Sequence, residues 1–295
     1  MITFPQLGQL GRLGNQLFQY AALKGLGLEK NYLVKIPRFD GVTWHGQSCL
    51  LENFNLEVDF FDSSDRIKGI YQEPDHMSLD KSFYTLPDNI GIHGFFQSIY
   101  YFENHQEQIK KELTPKEEFL SAGKERITKI KERYSGYDIV SLHLRRGDNV
   151  DGSNPSKELN GMYGVGGKFK QNSFYGTYLR AAKKVFENKK VKFLLFSGGT
   201  RAQGNSNMTD QEWCKVNFVG DEYIHTDDST DTMLDYTSIM CCDHNVISHV
   251  SSFGWWAAYT NQNKNSMVVA PKYYHPDMPT LTYREKFYPE KWIIV

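Results

Sequence analysis

Long apolar runs are missing from this sequence. No stretch approaches the roughly 18 consecutive apolar residues that a membrane-spanning helix requires. The first residues, MITFPQLGQLGRLGNQ, also lack the basic segment followed by an apolar segment that marks a secretory signal peptide. These two absences lead us to expect a cytoplasmic protein.

Cysteine pairs with redox or zinc-binding spacing are missing as well. The cysteines are Cys49, Cys214, Cys241 and Cys242, and they form no CxxC motif. Adjacent residues such as Cys241 and Cys242 have a poor geometry for bridging to each other. We therefore expect free thiols in a reducing compartment.

The acidic and histidine patterns that hold a catalytic metal are also missing. The sequence contains no Asp-x-Asp motif, and Asp227-Asp228 is the nearest acidic pair. His244 and His249 flank a predicted strand and lack the spacing of a helical ligand pair. We expect no metal and no other cofactor.

The chain has no excess of either charge. Its 34 Lys and Arg residues against 35 Asp and Glu residues give a net charge of −1. This balance excludes the broad basic surface of a protein whose main function is to bind nucleic acid. A hydrophobic fraction of 40% is typical of a folded globular protein, and 295 residues suffice for one large domain or two of ordinary size.

The hydrophobic pattern predicts an α/β fold. Short apolar segments alternate with helical periodicity over the second half of the chain, which is typical of a parallel sheet covered by helices. The predicted strands are 137–144, 191–197, 244–248 and 266–271, and the predicted helices are 173–188, 231–242 and 251–261. Earlier in the chain we predict a helix over 15–28, a strand over 31–39 and helical structure over 103–134, but no order for 41–90. The turn Ser135-Gly136 suggests two domains, residues 1–136 and 137–295.

A pair of arginines follows the first strand of the second half, in the segment HLRRGD (143–148). Ligands of such sheets bind at the carboxyl ends of the strands, and the guanidinium fork of arginine matches a phosphate. Arg145 and Arg146 are therefore candidate phosphate ligands, with Asp148 to orient them and His143 to contact a base or ribose. A solvated surface turn is the alternative.

Two serines follow the strand 244–248, in the segment HVSSFGWW (249–256). Ser251 or Ser252 can cap the next helix, and the first N–H groups of a helix bind anions. The segment thus predicts a phosphate site, although an ordinary cap followed by core aromatics explains it too. The N-terminal glycines Gly8, Gly11 and Gly14 form neither a GxGxxG nor a P-loop motif, and a strand-to-helix turn accounts for them equally well.

The ordered set of these segments resembles glycosyltransferase family 11, the α-1,2-fucosyltransferases. The segments that carry the resemblance, in chain order, are GRLGNQLFQYAAL (11–23), GFFQSIYYF (94–102), HLRRGD (143–148), NSFYGTYLRAA (172–182), FLLFS (193–197), TDQEWC (209–214), MLDYTSIMCCDHNVISHVSSFGWWAAYTN (233–261) and VVAPKYY (268–274). The resemblance implies a GT-B-type fold of two Rossmann-like domains facing a cleft, an acceptor-side domain followed by a donor-binding domain, a GDP-L-fucose donor and no metal.

The resemblance also implies roles for individual residues. Arg145 and Arg146 would hold the diphosphate, in a motif that includes His143 and Asp148. The other implied donor contacts are Ser251, Ser252 and Phe253 for phosphate and fucose, Asp235 for guanine, and Asn15 facing the cleft. One departure is the block FSGG (196–199), where the family usually has FSDD; the acid is either deferred to Asp210 or replaced by Asp227-Asp228.

The function expected from the resemblance is inverting, metal-independent transfer of L-fucose from GDP-β-L-fucose to O2 of a β-galactoside. Asp148 is the candidate general base, and Asp40 is another. An α-1,6-fucosyltransferase and a non-catalytic glycan-binding protein on the same scaffold are the alternatives. The expected partners are the nucleotide sugar and a glycan acceptor, and not nucleic acid.

Overall fold

The computed structural model describes residues 1–39, 49–75, 77–146, 171–198, 209–226, 231–275 and 278–295. They form two compact units. The first unit comprises Met1–Glu117 and Arg284–Glu290, and the second comprises Glu118–Tyr283 and Lys291–Val295. Within the described ranges, no helix is long and apolar enough to cross a membrane.

A five-stranded parallel sheet forms the centre of the first unit. Its strands are β1 (Ile2–Thr3), β2 (Val34–Ile36), β3 (Asp59–Phe60), β4 (Ile70–Gln72) and β5 (Ile90–His93), and its helices are α1 (Leu13–Lys30) and α2 (Gln106–Glu112). Short 3₁₀ turns lie at Leu51–Asn53, Lys81–Thr85, Ile99–Tyr101 and Glu103–His105. The strand order is β3-β2-β1-β5-β4. Helix α1 corresponds to the predicted helix 15–28, with slightly wider bounds.

Strands β3 and β4 are not predicted from the sequence, because they are short and show little alternation of apolar and polar residues. β3 and β4 span two and three residues, and Ile70 is 58% exposed. The predicted helical segment 103–134 is divided, because Pro115 separates α2 from the next helix and cannot donate a backbone hydrogen bond.

The second unit is built on a six-stranded sheet with parallel pairing. Its elements are α3 (Glu117–Arg133), β6 (Asp138–Leu144), α4 (Phe174–Lys184), β7 (Val191–Ser197), α5 (Asp210–Asn217), β8 (Tyr223–His225), α6 (Thr232–Cys241), β9 (His244–Val246), α7 (Ser252–Tyr259), β10 (Val268–Ala270), β11 (Tyr273–His275), β12 (Met278–Thr282) and β13 (Ile293–Ile294). The sheet order is β13-β10-β9-β6-β7-β8, and β11 and β12 form a separate antiparallel pair. Both units thus have the α/β architecture with a parallel sheet that the sequence predicts.

The central strands of the second unit are buried, which explains their continuous apolar sequence. Val140, Leu142 and Leu144 of β6 pack in one cluster with Tyr178 of α4 and Trp213 of α5. The ladder between β6 and β7 runs without a shift from Asp138 to Leu144. This uninterrupted pairing brings the residues that follow both strands to the same edge of the sheet.

The observed units divide the chain at a different place from the predicted boundary at residue 136. Helix α3 belongs almost entirely to the second unit, where Gly123 packs so closely on Thr237 that a Cβ atom would lie 2.5 Å from its backbone. The segment 284–290 belongs to the first unit, where Ser98 Oγ donates to the Lys286 carbonyl at 2.8 Å. Neither contact has a local sequence pattern.

Candidate functional site

The carboxyl ends of β6 and β9 form the candidate site of the second unit. These strands are neighbours in the sheet, so the segment after β6 lies beside the segment after β9. The Arg145 N–H donates to Ser248 Oγ at 3.0 Å, and Ser248 is buried. The two motifs therefore lie next to each other in the structure.

His143 is the second-last residue of β6 and lies next to the start of α7. Its Nδ1 is 3.3 Å from Ser251 Oγ, and a Cβ atom at Gly254 would approach this nitrogen to 2.7 Å. Burial, with the nearby Arg145 charge, lowers the pKa of His143 to about 3. The imidazole is therefore neutral at physiological pH, and it accommodates the helix only because residue 254 has no side chain.

The first turn of α7 is capped as predicted, since Ser251 Oγ accepts a hydrogen bond from the Gly254 N–H at 3.2 Å. Ser252 and Phe253 follow and are half-buried. Val250, just before the cap, has a φ of +50°, which is unusual for a β-branched residue. Its N–H donates to the Tyr283 hydroxyl at 3.0 Å, a contact that no sequence motif indicated.

The two adjacent arginines differ in their surroundings. Arg145 is half-buried, whereas Arg146 is 3% exposed. Arg146 Nε lies 3.3 Å from Asp210 Oδ1, and its guanidinium lies 3.4 Å from the centre of the Trp213 ring. Asp210, one of the two alternatives given for the missing acids of FSDD, is thus the partner of Arg146 inside the second unit.

Asp235, the predicted guanine contact, lies on α6. Its Oδ1 accepts a hydrogen bond from Arg126 of α3 at 2.9 Å. Burial raises the pKa of Asp235 to about 6, although Arg126 opposes this effect. The next residue, Tyr236, packs against Phe253 with ring centres 5.5 Å apart, so α6 adjoins the start of α7.

Asn15 lies in the first turn of α1, in the first unit. Its Oδ1 accepts a hydrogen bond from Gln97 Nε2 at 2.8 Å, which joins the GNQ and GFFQ segments. Gln16 donates to the carbonyls of Gly8 and Gly11 at 3.2 and 2.9 Å. The glycine-rich loop is therefore held by the buried Gln16 side chain, a role that the glycine spacing alone does not predict.

Several predicted residues lie outside the described part of the chain. They are Asp148 and Asp40, the two candidate bases, and Asp227-Asp228. The site in the second unit therefore brings together His143, Arg145, Ser251, Ser252 and Phe253, with α6 beside them. Across the described ranges, no cluster of three or more metal-ligating side chains is present.

The comparisons with known proteins agree with the sequence segments. The model of the family "Glycosyl transferase family 11" matches residues 6–295. An Escherichia coli protein named alpha-1,2-colitosyltransferase is 25% identical over 286 residues, covering 88% of this chain and 89% of the relative. The O-antigen biosynthesis glycosyltransferase WbnK of Escherichia coli is 23% identical over 300 residues, covering 89% and 92%.

Among solved structures, the fucosyltransferase NodZ from Bradyrhizobium is similar at 13% sequence identity with a TM-score of 0.47. The match covers 87% of this chain and 91% of that one, a likeness too remote to assign a function. The family model, in contrast, is a match to the sequence itself, and it extends over nearly the whole chain. This chain therefore belongs to glycosyltransferase family 11 and is a glycosyltransferase.

Proposed function

We propose that this glycosyltransferase is an inverting, metal-independent enzyme that transfers L-fucose from GDP-β-L-fucose to O2 of a β-galactoside. The observation that carries the proposal is the arrangement at the ends of β6 and β9. There Arg145 adjoins Ser248, and the capped N-terminus of α7 adjoins a neutral His143. A cation beside a helix N-terminus suits the diphosphate of a nucleotide sugar.

The chemical role of the site is to stabilise the leaving group. When the bond between fucose and the diphosphate breaks, negative charge grows on GDP, and preorganised donors lower the barrier by binding that charge. In the proposal Arg145 and the first N–H groups of α7 supply these donors. Arg146 is paired with Asp210, so it contributes mainly by holding the end of β6 in place.

The neutral His143 is given a positioning role in this proposal. An imidazolium would bring a second positive charge, but the lowered pKa keeps this side chain uncharged above about pH 3. The Ser251 hydroxyl can donate to Nδ1, which leaves the Nε2–H as a donor. We propose that His143 orients Ser251 and the helix start, and that Asp148 is the general base for the acceptor hydroxyl.

GDP-colitose is a second candidate donor, because one relative is named a colitosyltransferase. Colitose is L-fucose without its C3 hydroxyl, so the two GDP-sugars share the nucleotide, the diphosphate and the leaving-group chemistry. A site built to hydrogen-bond the C3 hydroxyl would discriminate strongly against colitose, whereas an apolar site would discriminate weakly. Family membership is compatible with both donors.

The experiment that tests the proposal compares GDP-fucose and GDP-colitose with a panel of β-galactosides, with and without EDTA, followed by linkage analysis of the product. Fucose linked α-1,2, in a yield unaffected by EDTA, is the expected result. Faster transfer of colitose would identify GDP-colitose as the preferred donor. An α-1,6 linkage would identify O6 as the acceptor hydroxyl in place of O2. GDP binding without transfer of either sugar would overturn the proposed fucosyl transfer.

A further inference from the structure

The first unit contains a cavity of about 260 Å³ at the carboxyl ends of β4 and β5. Gln72 and His93, the last residues of these strands, are direct partners in the parallel ladder and both line the cavity. Leu10 and Phe95 supply apolar wall. Because ligands of open α/β sheets bind at this edge, the position itself suggests a binding site.

A buried carboxylate fixes the floor of the cavity. Glu73 is 7% exposed, and its Oε2 accepts hydrogen bonds from the N–H groups of Phe95 and Phe96 at 2.7 and 2.9 Å. Arg284 donates to Oε1 at 2.8 Å. The loop that carries Phe95 is therefore held from below by a buried ion pair.

The same loop contains unusual backbone. Phe96 is fully buried with a φ of +49°, and Gly94 has a φ of +152° with no room for a Cβ atom, which would lie 2.4 Å from Glu73 Cβ. A non-glycine residue such as Phe96 held at a positive φ costs about 1–3 kcal/mol, and such residues cluster at functional sites. Gln19 Nε2 also donates to the carbonyls of Leu10 and Gly94, so two walls of the cavity are joined.

The lining, which includes the carboxylates Glu73 and Asp75, favours a hydroxyl-rich ligand over an anion. Gln72 offers amide donors and an acceptor, His93 offers ring nitrogens, and the half-buried Phe95 offers an aromatic surface. Among the described lining residues there is no lysine or arginine to bind a phosphate. The volume lies below the roughly 300–1,000 Å³ of pockets for drug-sized molecules, which suits a single sugar ring.

We propose that this cavity binds the galactoside ring of the acceptor, with Gln72 and His93 as acceptor-binding residues and Phe95 against the apolar face of the sugar. This inference rests on the proposed function, because it assigns the acceptor of that same reaction. It concerns residues outside the motifs that carry the family resemblance, apart from Phe95.

The first test is steady-state kinetics of His93→Ala and Gln72→Ala with lactose as acceptor. Each variant loses hydrogen bonds to the sugar, so we expect the acceptor KM to rise about 3- to 10-fold. The donor KM and the Kd for GDP should stay unchanged. His105→Ala is the matched control, since it removes a partly exposed histidine of the same unit that pairs with Glu29 away from the cavity. Wild-type acceptor KM values in both variants would overturn the proposal.

The second test does not require turnover. The chain has nine histidines, and the His93 signals can be assigned in an NMR spectrum of histidine-labelled protein by comparison with His93→Ala. Titration with methyl β-D-galactoside should shift them and leave those of His105 in place; unmoved His93 signals would contradict the inference. If the wild type transfers neither sugar, the proposed function fails, and this titration still decides whether the cavity binds a galactoside.

Discussion

Both sheets place a buried arginine–carboxylate pair beside their carboxyl edge, but the surroundings of the two pairs differ. In the second unit, Arg146 and Asp210 lie next to Arg145, a second and less buried arginine. In the first unit, Arg284 and Glu73 lie at a cavity whose described lining has neutral polar and apolar groups and the carboxylates Glu73 and Asp75, but no cation. The contrast suggests that each ion pair supports the adjacent backbone, and that the neighbouring residues determine the ligand. This ligand would be an anion in the second unit and a sugar in the first.

The largest expected effect comes from breaking the support in the second unit. Arg146→Ala leaves Asp210, which is fully buried, without its cation, so the free energy of unfolding should fall by about 3–5 kcal/mol. Urea denaturation measures this loss. Replacing both partners, Arg146→Met with Asp210→Leu, should recover most of it, since apolar residues often replace a buried pair at little cost. A loss below about 1 kcal/mol in Arg146→Ala would show that the pair is not a support.

The next effect separates Arg145 from its neighbour. Arg145→Ala should lower kcat by about 100-fold or more, because it removes a donor to the developing charge on GDP. Its free energy of unfolding should change by about 0.5 kcal/mol or less, in contrast to Arg146→Ala. Arg133→Ala, at an exposed arginine of α3, is the control for general charge loss. Near-normal turnover in Arg145→Ala would remove the basis of the donor site.

This difference between two adjacent arginines marks the limit of what the sequence predicts. Strand β7 has the predicted bounds and β6 nearly so, because continuous apolar runs in buried parallel strands are unambiguous. The motif HLRRGD, however, does not reveal which arginine turns inward. That depends on Asp210 and Trp213, which come from α5, more than 60 residues later in the chain.

The first unit was less predictable for a related reason. Strands β3 and β4 are too short for a periodic pattern, and Arg284 reaches Glu73 from a segment that lies between the two parts of the second unit in sequence. The cavity near Gln72 and His93 therefore has no motif that locates it. The glycine loop is visible in the sequence, but the helical pattern of residues 15–28 does not indicate that Gln16 and Gln19 bind its carbonyls.

The loop beside the cavity of the first unit can be weakened through Gln19, which is fully buried and donates hydrogen bonds to this loop. Gln19→Ala leaves the carbonyls of Leu10 and Gly94 without the amide donor, so the free energy of unfolding should fall by about 1–3 kcal/mol. Thermal or urea denaturation measures it. Gln6→Ala, at an exposed glutamine of the preceding turn, should change stability by less than about 0.5 kcal/mol. Equal stability of both variants would mean that these hydrogen bonds do not hold the loop.

The smallest expected effect tests whether the anion-binding side also reads the base. Burial raises the pKa of Asp235 to about 6, so its carboxylate becomes protonated as the pH falls through that value. Guanine presents N–H donors, and a protonated carboxyl group is a poorer acceptor for them. Binding of guanosine, which has no phosphate to titrate, should therefore weaken by up to about tenfold from pH 7 to pH 5.

Asp235→Asn keeps an acceptor that does not titrate in this range, so guanosine affinity in this variant should be nearly independent of pH. Isothermal titration calorimetry at both pH values gives the comparison. If wild type and variant show the same pH dependence, Asp235 serves only as the partner of Arg126. In that case the charged side of the comparison would consist of the diphosphate site alone, because Asp210 and Asp235 would then both serve only as partners of arginines.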